Sequence, residues 1–571
     1  MLAMPVPSFA ELTTLIREQE VGRTSTVTTP FGDRLLFYAD LTATGRFVHF
    51  VETWLAEVRP FYANTHTSVS STGRVMSALR EEARAVVGRA VNAGPDDVVM
   101  FVGSGATAAI NKLVGLLGIR IPEPLERAYR LSEHIPETMR PVVYIGPYEH
   151  HSNELPWVES IATVVEIALD EHGGISLDDL ETKLAQYRGR PLQIGAFSAA
   201  SNVTGVLTAV GPIAASLHAA GAYAVFDYAA SGPYVPIDMH PSDPAARIDA
   251  LFVSTHKFMG GPNASGVLVA HRSLFRSRVP ERPGGGTVSY VAGIRRDQID
   301  YVDRLDEREE GGTPSIIGDL RAGVAFLLKN MLGPERVLEH ELELAAHAHA
   351  RLARLPAVRL YGPLHAARLP ILSFNIDGLH HDFVSTLLDH LFGIQNRAGC
   401  SCAGPYGHRL LGIDEVRSAR YRAQIRRGML GVKPGWVRVT LPYYASPDEI
   451  EFVLQAIAFV AEHGKAFLPL YRLHFAQGIW EHLSCPRRDV MPIELVPDAL
   501  YLAAASFGAP KSDSPSRVVD TAAERLRYLA EARATADALD AEQRNQPPVF
   551  CSSIGDPEID PLIWFYFVHR A

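Results

Sequence analysis

The chain has 571 residues, 47% of them hydrophobic and 21% charged, with a formal net charge of -10. That length is enough to bury a large core, and the acidic balance argues against a nucleic-acid or anionic-membrane partner. Four cysteines in so long a chain do not make a disulfide framework, and no apolar run is long enough to span a bilayer, so a reducing cytoplasm is expected.

In chain order, residues 1–33 read as an N-terminal arm with a helix over 9–19 and no signal-peptide pattern, and 34–38 read as a strand. Helical apolar spacing follows over 47–58 and 75–91, on either side of a polar loop that contains His66. From residue 98 short apolar runs alternate with amphipathic stretches, which predicts a mostly parallel sheet with crossover helices. The first run, 98–102, enters Gly103-Ser-Gly-Ala-Thr107 and then a predicted helix over 108–117. Glycines let an anion approach the backbone and a helix N-terminus offers free N–H groups, so Gly105, Ala106 and Thr107 form a candidate phosphate cradle. The same run matches G-x-G-x-x-A, the dinucleotide fingerprint, which opens a second reading as a nicotinamide-dependent oxidoreductase. That reading requires an acidic residue closing the next strand about twenty residues on, and residues 119–130 are proline-containing and helix-like instead.

A second predicted strand, 141–145, leads into Glu149-His150-His151-Ser-Asn153. Neighbouring side chains diverge, so the two histidines are poor joint metal ligands. A flat imidazole packing on a ring is the better functional reading of His150, beside the plain one of a core or solvated histidine. The third strand, 192–197, ends ahead of Asn202, and the fourth, 223–226, ends at Asp227. The fifth, 250–253, runs into Ser254-Thr-His256-Lys257 and a Gly-Gly-Pro turn. A lysine at a strand end can lose its proton and attack a carbonyl. Taken singly it is usually a solvated charge, but open α/β sheets bind ligands at the C-terminal ends of their strands, and here the polar ends come in series.

Loop signals at 283–286 and Glu309-Glu-Gly-Gly-Thr313-Pro precede predicted helices over 318–332 and 334–355. A different pattern then begins, with strand 371–376, helix 382–392, strand 436–441 and helix 447–461. It encloses Asn396-Arg397-Ala-Gly-Cys400-Ser-Cys402. The expected division is a large domain over 34–325, a smaller α+β domain over 326–465 and a C-terminal extension over 466–571. In the extension 509–516 resembles a linker, 518–539 a charged helix, and the aromatic-rich 556–568 should pack on something. Cys400, Cys402 and His408 lack a fourth ligand and the usual zinc spacing, so no metal is expected.

Together these residues resemble the class V aminotransferase fold of pyridoxal-phosphate enzymes, an α/β fold of type I with a large mostly parallel sheet and a smaller α+β domain. Within it, the resemblance is to the group II cysteine desulfurases and selenocysteine lyases, over roughly residues 34 to 462. The resemblance implies pyridoxal 5'-phosphate on Lys257, with His256 beside it, Asp227 at the ring nitrogen and His150 stacked on the ring. It implies a phosphate site at Gly105, Ala106, Thr107 and Ser254, completed by Thr313 from the other subunit of a homodimer. Asn202 is then a cofactor or substrate contact, Arg438 with Arg397 the grip on a substrate carboxylate, and His66 a further substrate contact. Cys402 falls where these desulfurases keep the cysteine that accepts sulfur, to be passed on to an acceptor protein. Two departures stand out: Ala230 occupies a position where the family usually has glutamine, and the C-terminal extension is unusual. They keep transaminase, epimerase and carbon–sulfur lyase chemistry open.

Overall fold

Residues 7–67, 69–485 and 520–568 are described by the computed structural model. Its centre is a seven-stranded sheet of β1 Asp97–Val102, β2 Val142–Ile145, β3 Thr163–Glu166, β4 Gln193–Ser198, β5 Tyr223–Asp227, β6 Ala250–Val253 and β7 Gly266–His271. The spatial order is β1-β7-β6-β5-β4-β2-β3. Strand β7 runs antiparallel to both neighbours, and the other pairs are parallel. Side chains alternate between the faces: Val142 and Tyr144 join one core cluster, Val143 and Ile145 the other. With both faces covered, the strands read as continuous apolar runs rather than alternating ones. Each fully buried aliphatic or aromatic side chain contributes about 1.5–3 kcal/mol, so this sheet is the rigid frame of the molecule.

The sequence pattern showed five of these strands. Strand β3 is an edge strand with every residue only partly buried, so it lacks the apolar run of its neighbours. Strand β7 runs the opposite way, so the polar residues at its C-terminal end, His271 to Ser273, lie at the edge of the sheet away from the ends of the parallel strands. It also separates β1 from β6, leaving β1 without a parallel neighbour. A dinucleotide fold needs that parallel βαβ pair behind its glycine loop, and the nicotinamide reading falls with it.

A second, antiparallel sheet holds β8 Val358–Leu360, β9 Ile371–Ile376, β10 Arg397–Gly399 and β11 Trp436–Thr440 in the order β8-β9-β11-β10. Its period of two is decisive for the site. Val437 and Val439 enter a core with Leu372, Phe374 and Ile376, which turns Arg438 to the opposite face. Strand Phe37–Tyr38 pairs in parallel with Ile394–Gln395 and so delivers residues 40–45 to the space between the two sheets.

The predicted charged helix is Thr521–Asn545; the expected linker at 509–516, like residues 518 and 519, lies outside the described residues. Tyr528, Ala532 and Ala536 of this helix join the core of the second sheet. The aromatic-rich end packs as expected: Phe565 and Phe567 are buried, and Trp564 stacks on His381 with ring centroids 5.9 Å apart. Among the described residues no helix is long and apolar enough to cross a membrane.

Candidate active site

The C-terminal ends of β4, β5 and β6 open on a cavity of ≈ 230 Å³ whose far wall carries residues of the second sheet. At one end Gly105 precedes helix Ala106–Leu116 with a φ of 107°, and no side chain caps that helix. A Cβ on Gly105 would lie 3.0 Å from the Ser254 hydroxyl and 3.4 Å from the His256 ring, so glycine alone brings the backbone this close. The Ala106 N–H donates to Ser254 Oγ at 2.9 Å, and the Thr107 and Ser152 hydroxyls share a hydrogen bond of 2.6 Å. A glycine-led helix start ringed by hydroxyls has the make-up of an anion site.

At the other end Asp227 is 3% exposed. Burial pushes its carboxyl up to about 6, against the Ala229 N–H that it accepts and the charge on Lys257. Lys257 closes the turn Thr255–Lys257 that follows β6. Burial pushes its ammonium down to about 8, with Asp227 opposing that shift and Arg438 adding to it. Such a lysine is neutral often enough near pH 7 to act as a nucleophile. The backbone of residues 40–45 packs directly on this turn: the Gly45 N–H donates to the His256 carbonyl at 2.9 Å. A Cβ on Gly45 would sit 2.1 Å from the Phe258 carbonyl oxygen.

His150 lines the cavity, and its Nδ1 accepts the Ser152 N–H at 3.1 Å, so the proton of the neutral ring sits on Nε2. Burial, followed by the charges of Lys257, His151 and Arg438, pushes it down to about 3. His256 is pushed down to about 4 by burial and then by Lys257. Both rings are uncharged at neutral pH.

From the second sheet, Arg438 donates from Nη1 to the Asn202 carbonyl at 3.0 Å and from Nη2 to Asp40 Oδ1 at 2.8 Å. Arg397 donates from Nε to Asp40 Oδ2 at 3.0 Å. Cys402 is exposed and lines the cavity, whereas Cys400 packs against the larger core. Ser401 and Cys402 have φ of 51° and 55°, a left-handed stretch that needs support from its surroundings. Asn202 Nδ2 donates to the Ser401 carbonyl at 2.8 Å, the His151 N–H to the Cys402 carbonyl at 2.9 Å, and the Gly404 N–H to His151 Nε2 at 3.1 Å. The second histidine of the pair therefore holds the thiol-bearing loop. An anion cradle, a lysine and a buried acid in one cavity suit an elongated ligand with a phosphate at one end and a basic nitrogen at the other.

Most of the expected residues thus meet in one place, but His66 and Thr313 do not. Both are exposed and lie outside the cavity lining, in two loops that pack on each other. There Asn64 Nδ2 donates to Thr313 Oγ1 at 3.1 Å, and His66 Nε2 lies 2.9 Å from the Gly312 carbonyl. Ala230 lines the cavity, and neither Ser231 nor Tyr228 does. Sequence reasoning missed Asp40 and Glu149. The signal for Asp40 was the run Asp40-Leu-Thr-Ala-Thr-Gly45, small and polar after a short strand, much like the stretch before Lys257. Glu149 is 4% exposed and accepts from the Gly146 and Ser198 N–H groups, the Ser198 hydroxyl and Asn153 Nδ2. Burial still pushes it up to about 7. It ties the His150 loop to β4. Among the described residues, the group with metal-ligand spacing is His380, His381 and Asp382. There His380 Nδ1 already accepts the Asp382 N–H at 3.2 Å.

A family model described as Aminotransferase class-V matches residues 37–453. A probable cysteine desulfurase from Halalkalibacterium halodurans is 31% identical over 376 residues, covering 65% of this chain and 84% of the relative. A cysteine desulfurase from Pectobacterium atrosepticum is likewise 31% identical over 376 residues, with the same 65% and 84% covered. Among solved structures, the apo cysteine desulfurase of Thermococcus onnurineus NA1 superposes with a TM-score of 0.61 at 26% identity, covering 75% of this chain and 95% of that one.

Proposed function

The chain belongs to the aminotransferase class-V family, and from that premise we propose that it is a cysteine desulfurase-like enzyme that uses pyridoxal 5'-phosphate to move sulfur from L-cysteine to Cys402, releasing L-alanine. The observation that carries this reading is one cavity that gathers Lys257, Asp227 and the cradle beside Gly105 from the large sheet with Arg438 and Cys402 from the small one. The residues fit the cofactor. Gly105, Ala106, Thr107 and Ser254 suit its phosphate, with the His256 ring beside them. Asp227 suits a protonated ring nitrogen, the neutral His150 the ring face, and Asn202, whose buried Oδ1 has no partner, a polar substituent of cofactor or substrate.

Bound there, the cofactor supplies an electron sink for the substrate α-carbon. Lys257 takes up and returns a proton at that carbon, with a pKa near 8 that suits a shuttle at neutral pH. Arg438, assisted by Arg397, grips the substrate carboxylate and so fixes the bond that lies in line for cleavage. The Cys402 thiolate attacks the substrate sulfur. A sulfur–sulfur bond forms, the carbon–sulfur bond breaks with its electron pair left on carbon, and that carbon takes up a proton. Cys402 becomes a persulfide and the product is alanine.

The exposed patch with Thr313 and His66 supports a homodimer, in which a second copy brings this patch to the cavity for phosphate and substrate contacts. A sulfur-accepting protein in the cytoplasm then relieves Cys402 of its sulfur. Ala230 in the cavity wall supports a second reading, another class V activity such as a transaminase, epimerase or carbon–sulfur lyase. Assays with L-cysteine decide between them. Wild type and Cys400→Ala are expected to form alanine and a trapped persulfide on Cys402, and Cys402→Ala and the double variant to form neither. If all three variants behave like wild type, or if pyruvate appears in place of alanine, the second reading holds and Cys402 is packing.

A further inference from the structure

Between Cys402 and β11 the chain makes a long excursion that is rooted at both ends beside the thiol-bearing loop. At its start the Gly404 N–H rests on His151 Nε2, and at its end a Cβ on Gly435 would lie 2.7 Å from Gly399 Cα. The excursion holds helix Gly404–Leu411 and then helix Glu415–Arg426. The second helix is pinned on one side. Tyr421 and Gln424 are buried there, and Tyr421 joins Val432, Ile559 and Leu562 in a small core of their own. Its hydroxyl donates to the Leu562 carbonyl at 3.5 Å, so residues near the C-terminus hold this helix in place. The other side faces solvent. Val416 (72% exposed), Ala419, Arg420, Ala423 and Arg427 recur at three- and four-residue spacing, with Arg422 and Arg426 exposed beside them. Among the described residues Arg420, Arg422 and Arg426 form no ion pair, while Arg427 meets Glu558. Asp414 caps the helix by accepting the Arg417 N–H at 2.7 Å, the Arg417 guanidinium lies over the Tyr421 ring, and Glu415 is the acid exposed on the helix itself. A chain of net charge -10 thus presents a local face of the opposite sign.

We propose that the exposed face of helix Glu415–Arg426 is the docking surface for an acidic protein that collects sulfur from Cys402. Arginines around an apolar strip of Val416, Ala419 and Ala423 match a protein interface with an apolar centre and a charged rim. A phosphate backbone or an anionic membrane calls for an unbroken run of cations, and the acidic remainder of the chain repels both. Helix Gly404–Leu411, about 12 Å long at 1.5 Å per residue, and residues 412–414 separate this face from the Cys402 loop. A standard interface of about 800 Å² per partner, roughly 30 Å across, spans that distance. The docked partner brings a thiolate to the persulfide. It attacks the outer sulfur, a new sulfur–sulfur bond forms on the partner, and the bond to Cys402 breaks with its electron pair left on the Cys402 sulfur.

This inference rests on the desulfurase reading, and the test keeps the two apart. The probe is a glutamate-rich peptide with one cysteine, set against the same peptide with lysine in place of glutamate. Binding to the holoenzyme is read by fluorescence anisotropy with the peptide cysteine replaced by serine, which needs no sulfur chemistry. Discharge of Cys402 is read as alanine turnover from L-cysteine with either peptide, or with dithiothreitol, as the acceptor. Wild type is expected to favour the acidic peptide by about tenfold or more in Kd and KM, and added salt should shrink that margin. The triple variant Arg420→Gln, Arg422→Gln, Arg426→Gln should lose most of the preference. The triple variant Arg420→Glu, Arg422→Glu, Arg426→Glu should invert it, and both should keep the dithiothreitol turnover of wild type. Equal binding of the two peptides, or variants that leave the preference in place, overturn the proposal. So does a single-stranded RNA or a phosphatidylglycerol vesicle that binds through the same arginines more tightly than the acidic peptide. Persulfide formation without discrimination between the peptides leaves the desulfurase reading standing and removes the docking surface. Discrimination through the arginines with no persulfide formed overturns the desulfurase reading and leaves a dock for an acidic protein.

Discussion

The cavity and the C-terminal helix Thr521–Asn545 both bury charge, and they do so in opposite ways. Around the cavity the charges are displaced from their ordinary behaviour: Asp227 is raised to about 6, Lys257 lowered to about 8 and His150 to about 3. Asn202 Oδ1 has no partner there. Along the helix the charges are matched. Arg525 meets Glu449 at 2.8 Å, and the same carboxylate takes Arg23 at 2.7 Å. Arg34 donates to the Leu391 carbonyl at 2.8 Å and meets Glu531 at 3.0 Å, while the Tyr528 hydroxyl accepts the Leu35 N–H at 3.1 Å. Perturbed groups with unused hydrogen-bonding capacity mark a place that waits for a ligand. Matched pairs mark a place whose work is to hold the second sheet and its neighbours together.

Substitutions should separate along that line. The largest effect is expected of Lys257→Ala, with the visible cofactor band lost and alanine formation down by about 10²–10⁴-fold. In the cofactor-free protein its thermal midpoint should stay or rise. Below pH 8 the folded chain carries the full cost of a buried ammonium whose pKa is lowered from the ordinary lysine value, and alanine removes that cost. Absorbance of the cofactor-loaded protein and calorimetry of the cofactor-free protein check the two halves; a lower cofactor-free midpoint with the band intact would erase the distinction. Arg525→Ala is the smaller, inverse case. It leaves the buried Glu449 with Arg23 alone and should cost about 3 kcal/mol in denaturant unfolding, with band and activity kept. Loss of the band in Arg525→Ala would make the helix part of the site.

The contrast also explains what was legible in the sequence. Parallel sheets put ligand groups just past their strand ends, so His150, Asp227 and Ser254 to Lys257 stood beside readable apolar runs. Arg438 was legible through the family resemblance, on the strand predicted over 436–441. Asp40 was not, because its partners lie 357 and 398 positions away and meet it only through the pairing of Phe37–Tyr38 with Ile394–Gln395. Glu149 stayed hidden because its donors come from its own loop and from β4. The C-terminal helix buries Arg525, Tyr528, Ala532 and Ala536 on one face, but an arginine, a tyrosine and two alanines do not stand out from an alanine-rich, charged segment, so its charge was readable and its docking face was not.

Among the described residues Lys257 has one rival as the residue that holds the cofactor. Lys329 is also buried and is pushed down to about 7, and both lysines line a small space beside Tyr234 and Phe258. By pKa alone the choice would be Lys329. Geometry reverses it, since Lys329 Nζ donates to the Val235 carbonyl at 2.6 Å and is not among the residues lining the larger cavity. Borohydride reduction of the holoenzyme, followed by peptide mass mapping, reads the answer directly. The expected result is a pyridoxyl label on Lys257. A label on Lys329, or on no lysine at all, would contradict the assignment of this cavity as the active site.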